Sequence, residues 1–355
     1  MPSHIQGRVH GGRMARRRKK KGFGVVGFLL ALILLAALAA GAGWYLVVTP
    51  YGPTAETYVT IGQGASAGAI GRKLEAAGVV RSRYLFQLVR WVKRSKLKAG
   101  VYLFDHPAPV TEVYARIARG DIAAKVVTVP EGANIYDIAA RVEEAGLASR
   151  QEFLDAAMSK KDLVADIDPT APSLEGYLFP DTYRFAPKTP AGQIVETMVK
   201  QFRVVAGQLG LKENVHRTVT IASLVERETA VDADRPLVAS VFVNRLAKKM
   251  PLGTDPAVIY GLERIGLWRG TIYASDLKRD TPYNTYLHAG LPPGPVANPG
   301  LPSLRAALNP PHSNYLYFVA ASTNAQGHSL FAATLAEHNR NVAEYRRAQQ
   351  EAGER

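Results

Sequence analysis

An α+β chain with a single N-terminal transmembrane helix, and more than one packed unit beyond it, is what three features of this 355-residue sequence predict. An uncharged apolar run covers Gly22 to Val48. A strand–helix–helix pattern then appears twice at a constant offset, and after it a helix-rich stretch gives way to proline-rich turns. Roughly 300 residues lie beyond the apolar run, enough by the usual size of domains for two packed units.

The run from Gly22 to Val48 is dominated by Leu, Ala, Val, Ile and Gly. A membrane span needs roughly 20 such residues. Arg8, Arg13, Arg16, Arg17, Arg18, Lys19, Lys20 and Lys21 precede it with no acidic residue among them, and Trp44 and Tyr45 stand at its far end. Basic residues stay on the cytoplasmic side and aromatic ones settle at the interface. Residues 1–21 therefore read as a basic cytoplasmic tail, 22–48 as the transmembrane helix and 49–55 as a linker. Everything later is expected outside the cytoplasm. A cleaved signal peptide shares the basic start, but its apolar core is only about 7–15 residues long. With Ala39-Ala40-Gly41 a poor cleavage site, a retained single-pass membrane anchor is the expectation.

The formal net charge is +14, and eight positive residues stand unopposed before the span. A basic block in that position is a topology signal and an attractor for anionic lipid. Nucleic acid is therefore not an expected partner. A weaker basic stretch, Arg83 to Lys98, reads as the solvated face of a helix. The absence of cysteine excludes disulfides and thiolate metal sites.

Thr49-Pro50-Tyr51-Gly52-Pro53 is a stiff connector. Beyond it Val59-Thr60-Ile61 recurs as Val127-Thr128-Val129, Gly64 as Gly132, Ile70 as Ile138 and Leu74-Glu75 as Val142-Glu143. Ala77-Gly78 returns as Ala145-Gly146, and Leu85 is matched by Phe153. Each copy reads as a short β-branched strand, a turn, an amphipathic helix ending at Gly, then a second helix. Between the copies, Leu97 to Phe104 predicts a strand and Val110 to Arg119 a helix. Such a unit suits a compact glycan-binding module as well as plain architecture. Gly62-Gln63-Gly64-Ala65-Ser66-Ala67 resembles a dinucleotide loop, but the acidic residue expected about 20 positions later is missing.

From Ser173 the run Leu174 to Phe185 is dense in aromatic residues. Helices are expected over Pro190–Leu209, Val215–Ala230 and Asp234–Lys248. The prolines of Leu291 to Pro295 and Asn298 to Pro302, interleaved with apolar residues, predict a rigid loop wall. A strand from Tyr315 to Ala320 and a helix from Leu335 to Arg347 close the chain.

The chemistry concentrates on the helix that holds Glu226 and Glu228. At ~100° per residue, Ile221, Leu224 and Val225 share a face with Glu228, whereas Glu226 turns almost the opposite way. A carboxylate on an apolar face loses hydration, and that favours its neutral form. A neutral carboxylic acid at neutral pH is what protonating a glycosidic oxygen requires. Glu226 reads as an ordinary solvated charge. The competing reading of Glu228 is a boundary residue paired with Arg235 or Arg245.

Other chemistries find little support. His312, His328 and His338 lack ligand spacing and no helical His-Glu-x-x-His occurs, so neither a metal nor another cofactor is expected. The Gly-x-Ser-x-Gly elbow of serine hydrolases is missing as well. Carbohydrate chemistry remains. Candidate substrate-binding residues are Thr254, Asp255, Tyr260, Tyr283, Asn284, Thr285 and Tyr286, alongside the Glu175–Phe185 run. Aromatic rings pair a flat apolar face with a polar edge, which suits pyranoses, although each ring taken singly fits a core better.

Several strings in order resemble the YceG-like endolytic murein transglycosylases. They are Lys98-Ala99-Gly100-Val101-Tyr102, Glu175-Gly176-Tyr177, Phe179-Pro180-Asp181-Thr182, Ala222 to Ala230 and Val238 to Leu246. Leu252 to Gly261, Tyr283 to Tyr286, Gly290 to Pro295 and Tyr315 to Val319 continue the series. The resemblance covers nearly everything after the anchor. It implies that Glu228, the Glu directly before Thr in its helix, is the catalytic acid/base. It also implies a LysM-like module at 56–125 and a lysozyme-related catalytic domain at 126–347, with 348–355 as a tail.

The activity so implied is a lyase reaction on peptidoglycan. It cuts the β-1,4 bond between N-acetylmuramic acid and N-acetylglucosamine of nascent glycan strands and leaves a 1,6-anhydro end, terminating elongation, with peptidoglycan synthases as candidate partners. Two other readings stay open at the level of sequence: a hydrolytic muramidase, and a non-catalytic anchored scaffold that binds peptidoglycan.

Overall fold

The computed structural model describes residues 24–320 and 328–353, so the basic tail 1–21 lies outside the described residues. The chain divides into two compact units, one ending at Ile122 and the other beginning at Ala123.

The first unit opens with helix α1 (Val25–Val48), long and apolar enough to cross a membrane. Its side chains stand exposed along almost the whole length, and only Val47 is buried. At 1.5 Å per residue a helix of this size measures roughly 36 Å, against a hydrocarbon layer of ~30 Å. The connector after it does not hang free. Tyr51 and Ala108 exchange both backbone hydrogen bonds at 3.1 Å.

Strand β1 (Thr57–Ile61), helices α2 (Ala67–Ala76) and α3 (Arg83–Lys93), strand β2 (Gly100–Phe104) and helix α4 (Val110–Arg119) follow. The strands pair antiparallel, Thr57 opposite Phe104 and Ile61 opposite Gly100. Alternate strand residues Val59, Ile61, Tyr102 and Phe104 turn inward onto Ile70, Leu74, Phe86, Val113 and Ile117 of the three helices, as the period-2 and 3.6-residue patterns require. Val47 of α1 belongs to the same core.

The second unit begins with the second copy of that pattern. Strand β3 (Lys125–Thr128) leads to helices α5 (Ile135–Glu144) and α6 (Arg150–Ser159). Strand β4 (Thr182–Phe185) then pairs antiparallel with β3, Lys125 opposite Phe185. The repeat is thus structural: strand, two helices, returning strand. The matched glycines do the same work in both copies, because Gly64 and Gly132 hold left-handed φ of 71° and 77°, and Gly78 and Gly146 hold 68° and 66°. The returning strand of the second copy stood unrecognised within the aromatic run, being separated from α6 by a stretch containing a short 3₁₀ turn.

Helices α7 (Ala191–Leu209), α8 (Val215–Glu228), α9 (Arg235–Ala247), α10 (Asp255–Arg264) and α11 (Leu301–Leu308) come next. A hairpin of β5 (Tyr317–Ala320) and β6 (Ser329–Ala332) and helix α12 (Leu335–Gly353) complete the unit. Helix α12 continues past Arg347, where the apolar periodicity fades. Helix α8 sits at the centre, packed by α9, α10 and α11. Every residue from Thr218 to Val225 is buried. The helix is therefore surrounded, not amphipathic as its wheel suggests, since Thr220, Ala222 and Ser223 are as deeply buried as Ile221 and Leu224.

The proline-rich wall is tied to this helix by buried polar side chains. The Ser223 hydroxyl accepts from the Val296 backbone N–H at 3.1 Å and donates to the Thr220 carbonyl at 2.7 Å. Asn298, fully buried, accepts from the backbone N–H groups of Gly176 and Leu178 at 2.9 Å each. Its amide donates to the Ala133 carbonyl at 2.9 Å and to Glu175 at 2.8 Å. Gly176 has φ +88°, and a Cβ there would lie 2.5 Å from Pro295, so this clamp admits no other residue without movement.

Candidate active site

The last turn of α8 carries Glu226 and Glu228, and the two meet opposite surroundings. The Glu226 side chain is 4% exposed. It accepts from Nη1 of Arg235 at 2.6 Å and from the backbone N–H of Gly300 at 2.8 Å. Arg235, also buried, pairs with Asp232 at 3.0 Å and donates to the Ser303 hydroxyl. The expectation that Glu226 is a solvated charge is therefore corrected. Because α8 is packed on every side, a residue turned away from one apolar face enters another, where α9 and the start of α11 meet it with an arginine and a backbone N–H.

Glu228 is the last residue of the helix and is half-buried. Among the described residues its carboxyl group accepts no hydrogen bond. Its pKa is pushed up to about 7, first by loss of hydration and then by the charge of Asp255, with Arg245 opposing. The exposed carbonyls of a helix C-terminus add a partial negative charge that further disfavours a carboxylate.

The neighbours of Glu228 are held in place by other groups. Asp255 opens α10, and its Oδ1 accepts from the Tyr286 hydroxyl at 2.8 Å. Arg245 on α9 donates through Nε to the Leu316 carbonyl at 2.6 Å and through Nη1 to the Leu252 carbonyl at 2.7 Å. Its guanidinium lies 5.3 Å from the Tyr317 ring centroid. Arg245 thus directs Nε and Nη1 at backbone carbonyls, and among the described residues neither it nor Arg235 makes an ion pair with Glu228.

Of the seven candidate substrate-binding residues, the structure leaves two exposed near the acid, Asp255 and Tyr286. The other five are buried. Thr254 and Thr285 join through the Thr254 backbone N–H at 2.9 Å, which fixes the start of α10 against the Tyr283–Tyr286 turn. Asn284 donates to the carbonyls of Leu277 and Arg279 at 3.0 and 2.8 Å and accepts from the Tyr286 backbone N–H at 3.0 Å. Tyr260 and Tyr283 form an aromatic cluster with centroids 4.9 Å apart, extended by Tyr136 at 6.1 Å from Tyr260. These residues build and brace the wall that presents Tyr286. The same holds for Glu175 and Tyr177 in the aromatic run, both buried. Tyr317 was missed as a site residue, since nothing in the local sequence marks a residue delivered by the closing hairpin, and Arg245 was expected only as an ion-pair partner of Glu228.

Three further carboxyl groups are pushed up, in each case first by burial: Glu175 to about 8, Glu263 to about 7, and Glu131, where the charge of Glu226 adds and Arg235 opposes. Glu175 and Glu263 are engaged. Glu175 accepts from the Ile135 backbone N–H at 2.9 Å and from Asn298 at 2.8 Å, and Glu263 accepts from the Asn134 amide at 2.6 Å. Of the three carboxyl groups pushed up to about 7 or 8, Glu228 alone accepts no hydrogen bond among the described residues.

Comparison with known proteins supplies an independent line. The YceG-like family profile matches residues 59–344. The endolytic murein transglycosylase of Bacillus subtilis is 36% identical over 309 residues, 81% of this chain and 84% of that protein. A protein of the same name from Streptococcus pneumoniae strain R6 is 32% identical over 358 residues, and the chain spans 65% of its length. A crystal structure of a yceG-like protein from Listeria monocytogenes aligns with a TM-score of 0.52 at 32% identity, over 81% of this chain and 99% of that one.

Proposed function

This chain belongs to the YceG-like family, and we propose that it is a membrane-anchored endolytic murein transglycosylase with Glu228 as its one acid/base. The reading rests above all on Glu228, a half-buried carboxylic acid near neutrality, unpaired at the end of a rigid helix.

Protonated Glu228 donates its proton to the oxygen linking N-acetylmuramic acid to N-acetylglucosamine as the C1–O4 bond breaks. Positive charge then develops at the anomeric carbon. The newly formed Glu228 carboxylate takes the proton of the muramyl 6-hydroxyl while O6 bonds to C1. The 1,6-anhydro ring closes, and Glu228 returns to its acid form. No water is consumed, and the nucleophile belongs to the substrate, so the two carboxylates with set spacing that ordinary glycosidases use are not needed. Burial, with the charge of Asp255 adding to it, keeps the acid neutral before the cut, and Arg245 eases the carboxylate that forms during it. Tyr286 and Asp255 are the side chains assigned to the sugar, and the five buried residues act by holding them.

Residues 56–125, which hold β1 to α4, are assigned as a LysM-like glycan-binding module, followed by a lysozyme-related catalytic unit at 126–347. Helix α1 is assigned as a retained anchor with the basic tail in the cytoplasm. Cutting nascent strands there would terminate their elongation beside the synthases that make them. The test is mass spectrometry of glycan strands incubated with the purified chain. Products ending in 1,6-anhydro-N-acetylmuramic acid are expected. Ordinary reducing ends would assign a hydrolytic muramidase, and uncut strands that nonetheless bind would assign a scaffold.

A further inference from the structure

Helix α3 presents two apolar faces, and only one is used inside the unit. Phe86 and Val89 are buried in the core, while Tyr84, Leu88, Trp91 and Val92 are 66%, 49%, 70% and 64% exposed. Spaced at i, i+4, i+7 and i+8, these four form one stripe on the helix. Isolated exposed apolar residues are ordinary, but a contiguous stripe containing a tryptophan and a tyrosine marks a surface that meets something.

Its position says what. Leu88 and Val92 face Ala39, Gly43 and Val47 of α1 across an open groove of about 650 Å³. That stretch of α1 is the outer part of the apolar helix, ending at Trp44 and Tyr45. Val47 is packed into the same core as Phe86, and the Tyr51–Ala108 pairing fixes the connector, so α3 is held beside α1 at that depth. The charge pattern agrees. From Arg81 to Lys98 the chain has seven basic residues and no acidic one. On the wheel Arg83 and Arg90 lie together on one side of the stripe, Arg83 within 3.9 Å of Glu75. An amphipathic helix with aromatic and aliphatic residues on one face and basic residues beside it lies in the plane of a membrane interface.

We propose that α3 is a membrane-interface helix: its Tyr84–Leu88–Trp91–Val92 stripe enters the outer leaflet beside α1, an acyl chain fills the groove, and its arginines meet anionic lipid headgroups. This rests on the reading of α1 as a retained anchor. It assigns the Arg83–Lys98 stretch to lipid headgroups in place of bulk solvent, and it holds the first unit down on the bilayer instead of letting it swing on a tether.

The chain contains no cysteine, so a single introduced thiol reports from one place. The full-length chain carrying Leu88→Cys, labelled with an environment-sensitive fluorophore, is reconstituted into vesicles of equal parts phosphatidylglycerol and phosphatidylcholine. Leu34→Cys in the middle of α1 is the reference. Lipids brominated high on the acyl chain are expected to quench the Leu88→Cys label several-fold more than aqueous iodide does. Trp91→Cys, on the same stripe, should behave alike and guards against a local defect in either variant. Iodide quenching of both α3 labels, while the Leu34→Cys label is quenched by bromolipid, would overturn the proposal and leave the anchor intact. A Leu34→Cys label untouched by bromolipid would overturn the anchor itself. Shielding of the α3 labels from both quenchers, growing with the protein-to-lipid ratio, would assign the stripe to protein contact and also overturn the proposal.

Discussion

Glu226 and Glu228 stand two residues apart on one helix, and their fates diverge because of what packs around them. On the Glu226 side, α9 and α11 deliver Arg235 and the Gly300 N–H, and the carboxylate is closed into a buried ion pair. On the Glu228 side, α10 delivers a second carboxylate, Asp255, and the nearby Arg245 is engaged by backbone carbonyls. Burial alone therefore does not make an acid. A buried carboxylate with a dedicated cation is structural, whereas one that faces another carboxylate is poised to hold a proton.

The largest expected effect that tests this contrast is on turnover. Glu228→Gln should lower kcat by ~10²–10⁴ while leaving strand binding in place, because Gln keeps the shape but can neither give nor take the proton. Measured by release of muropeptide fragments, a variant that still cuts at near the native rate would erase the distinction. Glu226→Gln should instead act on the fold. It takes the buried carboxylate charge from Arg235, which keeps Asp232 and Ser303, so the cost should stay below the ~3–5 kcal/mol typical of a buried charge left with no partner. Denaturant unfolding should show that loss, while the folded fraction keeps its rate per molecule.

Glu228→Gln should also change how stability depends on pH. Between the unfolded value of 4.5 and about 7, folded Glu228 holds a proton that the unfolded chain has released, so stability falls as pH rises through that window. Glu228→Gln removes this loss. Its melting temperature should exceed the native one at about pH 8, with the gap closing below about pH 4.5, where both states of the native chain are protonated.

Smaller effects probe the neighbours. Asp255 raises Glu228, so Asp255→Asn should move the alkaline limb of kcat/KM to lower pH, by roughly half to one unit for a single nearby charge. An unmoved limb would mean that Asp255 does not act on the acid. Tyr286→Phe should cost least, roughly two- to five-fold in kcat/KM, because water can replace a hydroxyl this exposed as donor to Asp255.

Much of this architecture was legible in the sequence. Helix α4 runs from Val110 to Arg119 as its pattern predicts, α7 to α9 lie within two residues of expectation, and the repeat was visible as recurring glycines and β-branched strands. Such features are local: capping residues, left-handed turns and apolar periods announce themselves within a dozen residues. What escaped was non-local. Strand β4 takes its identity from pairing with β3, more than 50 residues earlier, and β6 exists only as the partner of β5. The wheel singled out Glu228 by assuming a solvated opposite face, yet that face is filled by α9 and α11. The neighbours on which the Glu228 argument now rests, Asp255 and Arg245, come from two other helices. Tyr260, Tyr283 and Asn284 have the composition expected of a sugar cleft but are buried, the tyrosines in an aromatic cluster and Asn284 on backbone carbonyls.

The raised pKa of Glu228 is the quantity most open to direct measurement. Carboxyl ¹³C signals of the full-length chain, labelled at glutamate and held in detergent micelles, can be followed with pH and compared with those of Glu228→Gln. The comparison matters because Glu175 and Glu263 are also pushed up by burial. The signal present only in the native chain should titrate with a midpoint near 7. A midpoint at the ordinary value of 4.5 would contradict the account, since Glu228 would then be ionised at neutral pH and without a proton to give.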